Sequence, residues 1–138
     1  MSKDKKIRNG MVIVNTKERK FYMTEKYTEI SGTLIAHLKG ELDQHSAVKL
    51  RVNLDKKIME GANYLIFDLS ELDFMDSSGI GIIIGRYKNI TALGGVASIA
   101  GAKPHVEKIL KMAALDRIIP IYSDVHTALS KVGGGVIG

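Results

Sequence analysis

The alternation of short apolar runs with amphipathic segments is the feature that most constrains how this chain can fold. Residues 33–38 and 64–69 are predicted strands, and the second is almost continuously apolar, as expected of a strand covered on both faces. Between them, residues 46–60 carry apolar side chains at spacings of three and four before Gly61, which predicts a helix. The apolar positions of that helix are Ala47, Leu50, Leu54 and Ile58.

The second half of the chain repeats the alternation. After residue 76 the predicted elements are a helix, a strand, a helix, a strand and a helix, the last four at residues 96–100, 104–113, 117–122 and 124–131. Ser123 is the predicted cap of the last helix. The order predicts an α/β fold in which four helices pack on a mixed, mostly parallel sheet of about four to six strands. Right-handed crossovers then bring the loops after the strands to one edge.

The periodicity also predicts which helix residues turn inwards. In the helix after residue 76, the predicted inward residues are Ile80, Ile83, Ile84 and Tyr87, and the predicted outward residues are Arg86, Lys88 and Asn89. In helix 104–113, the predicted inward residues are Val106, Ile109, Leu110 and Ala113.

Both ends of the chain differ in composition from its centre. Residues 1–26 form a basic extension, in which residues 11–15 and 20–23 are predicted short strands of a hairpin or parts of a disordered arm. Residues 27–132 are the predicted domain. Residues 133–138 begin with three glycines, and because glycine loses the most conformational freedom on ordering, we expect a flexible tail.

The distribution of charge argues against nucleic-acid binding. The net charge is +5, but residues 1–28 hold eight Lys/Arg and three Asp/Glu, whereas residues 29–138 hold twelve of each. A nucleic-acid-binding domain would concentrate positive charge on a folded face. No apolar run approaches the roughly 18 to 20 residues that would span a bilayer, and the chain has no cysteine. We therefore expect a cytoplasmic protein without membrane or nucleic-acid partners.

Two of the loops at the predicted edge, residues 40–45 and 73–79, hold the informative residues. Ser77 and Ser78 stand at a helix start, where free backbone N–H groups and the helix dipole favour a phosphate. Gly79, Gly81 and Gly85 would leave one helix face open, although glycine costs about 1 kcal/mol in a helix relative to alanine. The alternative is an ordinary Ser or Asp cap with glycines for tight packing. From the residues alone both interpretations stand.

Three segments resemble a known family. Residues 69–89 (LSELDFMDSSGIGIIIGRYKN) strongly resemble the phosphorylation-site segment of STAS-domain anti-sigma factor antagonists from sporulation and general-stress pathways. The sequence Gly40-Glu41-Leu42-Asp43 is similar to that family's first-loop motif, and residues 102–129 to its closing helix–strand–helix. The resemblance covers residues 27–130 and implies the STAS fold.

The resemblance also implies a partner-switching cycle without catalysis by this chain. The unphosphorylated form would bind an anti-sigma factor that is also a serine kinase of the histidine-kinase-like ATPase fold. That kinase would use Mg-ATP to phosphorylate Ser77 and end the binding, and a metal-dependent serine phosphatase would reset the protein. The chain itself would need no cofactor or metal. The predicted switch region, besides Ser77 and the less favoured acceptor Ser78, consists of Asp43, Met75, Asp76, Gly79 and Gly81. The residue type of Met75 predicts either packing in the core or at its rim, or an exposed contact beside the switch.

Two other functions remain open. A STAS scaffold subunit of a stressosome-like complex would share the fold and the phosphorylation. A nucleotide-binding protein or enzyme with a flavodoxin-like layout would need a site, but residues 79–85 lack the spacing of a phosphate loop and no G-x-S-x-G elbow exists. Ser77, Asp76 and His45 form a weak nucleophile set. The histidines, at positions 37, 45, 105 and 126, show no metal-type spacing, and His37 is predicted to fill the core or sheet edge.

Overall fold

The computed structural model describes residues 23–137, with side chains as far as Val132. The elements in this part of the chain are β1 (Thr24–Ile30), β2 (Thr33–Leu42), α1 (Gln44–Met59), β3 (Tyr64–Met75), α2 (Ser77–Ala92), β4 (Val96–Ala100), α3 (Pro104–Met112), β5 (Ile121–Tyr122) and α4 (Val125–Ile137). A 3₁₀ turn, Leu115–Arg117, links α3 to β5.

The five strands form one mixed sheet in the order β1-β2-β3-β4-β5. β1 pairs antiparallel with β2 through a two-residue turn, in which Ser31 and Gly32 both have positive φ, as that turn type requires. The other three pairs are parallel. The four helices of the described chain pack on this sheet, so the predicted fold class is confirmed.

The sheet has a core on each face. The larger core lies between the sheet and α1, α2 and α3, and the smaller core lies under α4. β3 contributes Leu65 and Phe67 to the larger core and Ile66 to the smaller one, which explains its continuous apolar run. The four predicted inward residues of α1 are all buried, so that prediction is confirmed.

The strands leading to the edge are longer than predicted. β2 continues to Leu42 and β3 to Met75, so both loop motifs begin inside strands. The sequence underestimated these strands because polar residues such as Glu41, Glu71 and Asp73 interrupt the apolar runs at positions where one sheet face reaches solvent.

Several predictions for α2 and the C-terminal third were wrong. Arg86 is buried rather than outward, because its Nε lies 2.8 Å from Asp55 Oδ1 across the α1–α2 contact. Ala113 is exposed, since α3 ends at Met112. The predicted strand 117–122 is only Ile121–Tyr122, preceded by the 3₁₀ turn.

The last helix also differs from its prediction. The Asp124 carboxylate, and not Ser123, accepts a hydrogen bond from the Thr127 N–H at 2.7 Å and caps α4. The helix then continues to Ile137. Residues 133–137 of the predicted flexible tail thus have helical backbone, and their flexibility stays a prediction.

The N-terminal boundary falls slightly earlier than predicted. β1 begins at Thr24 and so includes three residues of the predicted extension. The predicted strand 11–15 and residues 20–22 of the second predicted strand lie outside the described residues. Met23 is described, and it packs against the larger core directly before β1.

Candidate functional site

Two strand-to-helix junctions meet at the edge of the sheet. The first junction runs from β2 through Asp43 into α1, and the second runs from β3 through Asp76 into α2. Leu42 and Met75 are paired in the sheet, and the Asp76 N–H donates to the Leu42 carbonyl at 3.2 Å. Parallel pairing of β2 and β3 therefore brings the two loop motifs together.

A groove of about 880 Å³ lies between the two junctions. Asp43 and Asp76 both line it, together with four residues at the start of α1: Gln44, His45, Val48 and Lys49. Val48 is an exposed apolar side chain on this surface. The groove thus combines two carboxylates with apolar surface beside the start of α2.

Asp76 is the N-cap of α2. Its carboxylate accepts hydrogen bonds from the N–H groups of Ser78 at 2.8 Å and Gly79 at 3.4 Å. The expectation that the helix amides wait for a phosphate was therefore incomplete, because a carboxylate already occupies two of them. A phosphate on Ser77 would have to share these donors with Asp76.

The two serines of the second junction differ in exposure. Ser77 is exposed at the first helical position and Ser78 is half-buried. The Ser77 hydroxyl is thus the one that an approaching enzyme can reach most directly.

Asp43 caps α1 in the same way but with a reciprocal partner. Its carboxylate accepts from the Ser46 N–H at 2.9 Å, and its own N–H donates to Ser46 Oγ at 3.0 Å. The bond from the Ser46 backbone lowers the pKa of the Asp43 carboxyl below its usual range. Asp43 is therefore held rigidly at the groove as a charged group.

The three glycines of α2 have two different roles. A Cβ on Gly79 would lie 2.9 Å from Leu42 Cγ and 3.1 Å from the Leu42 carbonyl, so Gly79 is needed for packing. A Cβ on Gly81 or Gly85 would meet nothing within 4 Å. Because Ser77, Gly81 and Gly85 are spaced by four, they lie along one open face of the helix. Gly79 thus agrees with the tight-packing interpretation, and Gly81 and Gly85 agree with the open-face interpretation.

The predicted contact residue Met75 is buried. Only 1% of its surface is accessible, because it ends β3 facing the larger core. The preceding residue, Phe74, is 43% exposed and is the apolar side chain that this loop presents to solvent. Of the two predictions for Met75, packing in the core is confirmed and the exposed contact is wrong, since the strand continues further than its apolar run indicated.

Sequence reasoning missed Lys103 and His105, which lie at the start of α3 and contact Asp73 in the second junction. Lys103 Nζ lies 2.5 Å from Asp73 Oδ1, and the His105 ring bonds to the Asp73 carbonyl. The bond from Lys103 lowers the pKa of Asp73. No sequence pattern links residues 73 and 103; only the parallel pairing of β3 with β4 brings the start of α3 to this edge.

The remaining histidine prediction concerned His37, and the structure gives it polar partners. Its Nδ1 lies 2.6 Å from Asp68 Oδ2, and Nε2 lies 2.9 Å from Thr28 Oγ1. Residues 23–132 contain no group of three potential metal ligands. Within the same part of the structure, the helices are too short or too polar to cross a bilayer.

The family model described as "STAS domain" matches residues 24–128, most of the described chain. The chain belongs to the STAS domain family. It is 39% identical over 102 residues to an anti-sigma F factor antagonist of Paenibacillus polymyxa, covering 73% of this chain and 87% of that protein. Such antagonists are regulatory proteins rather than enzymes, as the sequence predicted.

Solved structures agree with this assignment. The STAS chain superimposes on the unphosphorylated anti-sigma factor antagonist SpoIIAA with a TM-score of 0.72 and 27% identity, covering 80% of this chain and 97% of that one. The Bacillus cell fate determinant SpoIIAA in its phosphorylated form gives a TM-score of 0.65 at 26% identity, covering 79% and 99%. The predicted STAS fold is thereby confirmed.

Proposed function

We propose that this STAS protein is an anti-sigma factor antagonist whose partner binding is controlled by phosphorylation of Ser77. The observation that carries the proposal is the exposed Ser77 hydroxyl at the first position of α2, next to the open face of Gly81 and Gly85. The antagonist names of relatives, one of them solved in a phosphorylated form, support it.

The proposed partner is an anti-sigma factor that is also a serine kinase of the histidine-kinase-like ATPase fold. In the unphosphorylated state the STAS protein binds this partner through the groove and the open face of α2, and the partner releases its target. The partner then uses Mg-ATP to phosphorylate Ser77, and a metal-dependent serine phosphatase restores the free hydroxyl. The STAS protein itself requires no cofactor in this cycle.

The phosphate acts through local charge. It adds about −1.5 to −2 charges at neutral pH, beside the Asp76 carboxylate that already holds two helix amides. When the partner docks, this crowded anionic group must lose water. A loss of roughly 3 kcal/mol of binding free energy at the interface would weaken binding about a hundredfold.

The acceptor is tested by incubating the protein with the cognate kinase and Mg-ATP. We expect one phosphate, mapped to Ser77 by mass spectrometry. Ser77→Ala abolishes incorporation, and the matched variant Ser78→Ala retains most of it, because Ser78 is half-buried. Phosphate mapped to Ser78 with Ser77 unmodified would overturn the assignment.

The local nature of the switch is tested by comparing amide spectra of the two forms. Phosphorylation should shift resonances of residues 40–46 and 73–90 and leave α3 and α4 nearly superimposable. Ser77→Asp should reproduce part of the hundredfold affinity loss, and Ser77→Ala should stay bound to the kinase in the presence of ATP. Widespread shifts through α3 and α4 would mean that the switch is conformational.

A further inference from the structure

The surplus positive charge of the chain is confined to a segment outside the STAS match. Residues 1–22 contain seven Lys/Arg and two Asp/Glu, whereas residues 23–138 contain thirteen of each sign. The family match begins at residue 24. The domain is therefore neutral overall, and the basic segment is an addition to it.

This basic segment joins the domain at the edge that carries Ser77. Thr24 pairs with Lys39 near the carboxyl end of β2, and Met23 is fixed against the larger core. β1 and β3 flank β2, so they are about 10 Å apart. Lys20 is three residues from Met23 and thus within about 10 Å of it. The segment is long enough to reach the groove and Ser77.

The groove that this segment can reach has one lysine in its lining, and two further lysines at this edge lie beside Asp73. Asp43 and Asp76 line the groove, and Lys49 is its one lysine. The nearby Lys103 is already paired with Asp73, and the exposed Lys39 also acts on the Asp73 carboxylate through its charge. Because Asp76 also occupies the amides of Ser78 and Gly79, a phosphate on Ser77 has few donors in the described domain.

We propose that residues 1–22 bind the groove and phosphorylated Ser77 of the same molecule as a basic clasp. The clasp pairs lysine and arginine with the phosphate and with the two groove carboxylates, and it occupies the surface that the partner uses. Phosphorylation favours the clasp, and by reciprocity the clasp favours the phosphorylated state. This inference rests on the proposed function only in taking Ser77 as the phosphate carrier.

The absence of cysteine gives a direct test on the full chain. Asn9→Cys is labelled with a nitroxide, and phosphoserine is incorporated at position 77 during translation, so no kinase is needed. At low salt we expect broadening of amides 41–46 and 76–81 that is at least about threefold stronger with phosphoserine than with serine. It should vanish near 1 M salt, where charges are screened beyond roughly 3 Å. Equal broadening in both forms, or none at these amides, would overturn the proposal.

Two sets of substitutions separate the clasp from a general charge effect. One set changes Lys17, Arg19 and Lys20 to Gln; the control set changes three exposed lysines elsewhere, Lys56, Lys108 and Lys131, to Gln. Both remove three positive charges. Only the first set should weaken the broadening and accelerate dephosphorylation by alkaline phosphatase, by about fivefold. Equal effects of the two sets would overturn the clasp. Failure of the kinase to modify Ser77 would refute the proposed function and leave this measurement intact.

Discussion

Both helix starts at the site have an aspartate N-cap, but they differ in the hydrogen bonding and exposure of the serine that follows it. In the first junction, Asp43 caps α1 and Ser46, at the third helical position, completes a capping box. The Ser46 hydroxyl also lies 3.0 Å from the Glu41 carbonyl and is half-buried. In the second junction, Asp76 caps α2 without a reciprocal partner, and Ser77 at the first position is exposed.

The difference follows from how closely the third residue of each helix packs against its neighbours. The third position of α2 is Gly79, and it faces Leu42 of the first junction so closely that an added Cβ would force Leu42 to shift. A capping-box serine at this position of α2 is therefore destabilising. Its serines stand earlier in the turn, where they are not needed for the cap. Tight packing of the second junction against the first thus leaves a hydroxyl available for modification.

The test with the largest expected effect replaces Gly79, the third residue of α2, by serine, which is the third residue of α1. We expect Gly79→Ser or Gly79→Ala to lower the free energy of unfolding by about 1 to 3 kcal/mol, the usual range for overpacking. The added Cβ would lie within 3.1 Å of both the Leu42 side chain and its carbonyl. Denaturant unfolding gives the measurement.

Gly81→Ala is the matched control on the same helix. Its Cβ meets nothing, so the substitution should stabilise the helix by up to about 1 kcal/mol. Equal stability changes for the two glycine positions would show that the contact with Leu42 does not fix the second junction.

The next test removes the serine hydroxyl from each junction in turn. Ser46→Ala should cost about 1 kcal/mol, because the Asp43 N–H loses its acceptor and one half of the capping box is lost. Ser77→Ala and Ser78→Ala should change stability by less than about 0.5 kcal/mol, as surface substitutions usually do. Thermal unfolding would contradict the comparison if Ser77→Ala cost as much as Ser46→Ala.

The sequence was sufficient for the fold and for the position of the two junctions, because both depend on local patterns. The alternation of elements and the inward residues of α1 follow from periodicity alone. Buried Met75, paired Arg86 and the Lys103–Asp73 contact depend on strand length or on pairing between distant elements. The closeness of Gly79 to Leu42 likewise depends on the β2–β3 register, which no single segment determines.

The smallest expected effect concerns the charge on the first cap. Hydrogen bonding to the Ser46 backbone lowers the pKa of Asp43 in the folded state. A carboxyl with a lowered folded pKa adds stability above its unfolded value of about 3.9, and this contribution is lost as the pH falls through the folded pKa. Asparagine is an equally good N-cap but does not titrate. Asp43→Asn should therefore match the wild type within a constant offset above about pH 5 and lose less stability between pH 5 and 2. Parallel stability curves over that range would mean that the stability contributed by the Asp43 cap does not depend on its charge.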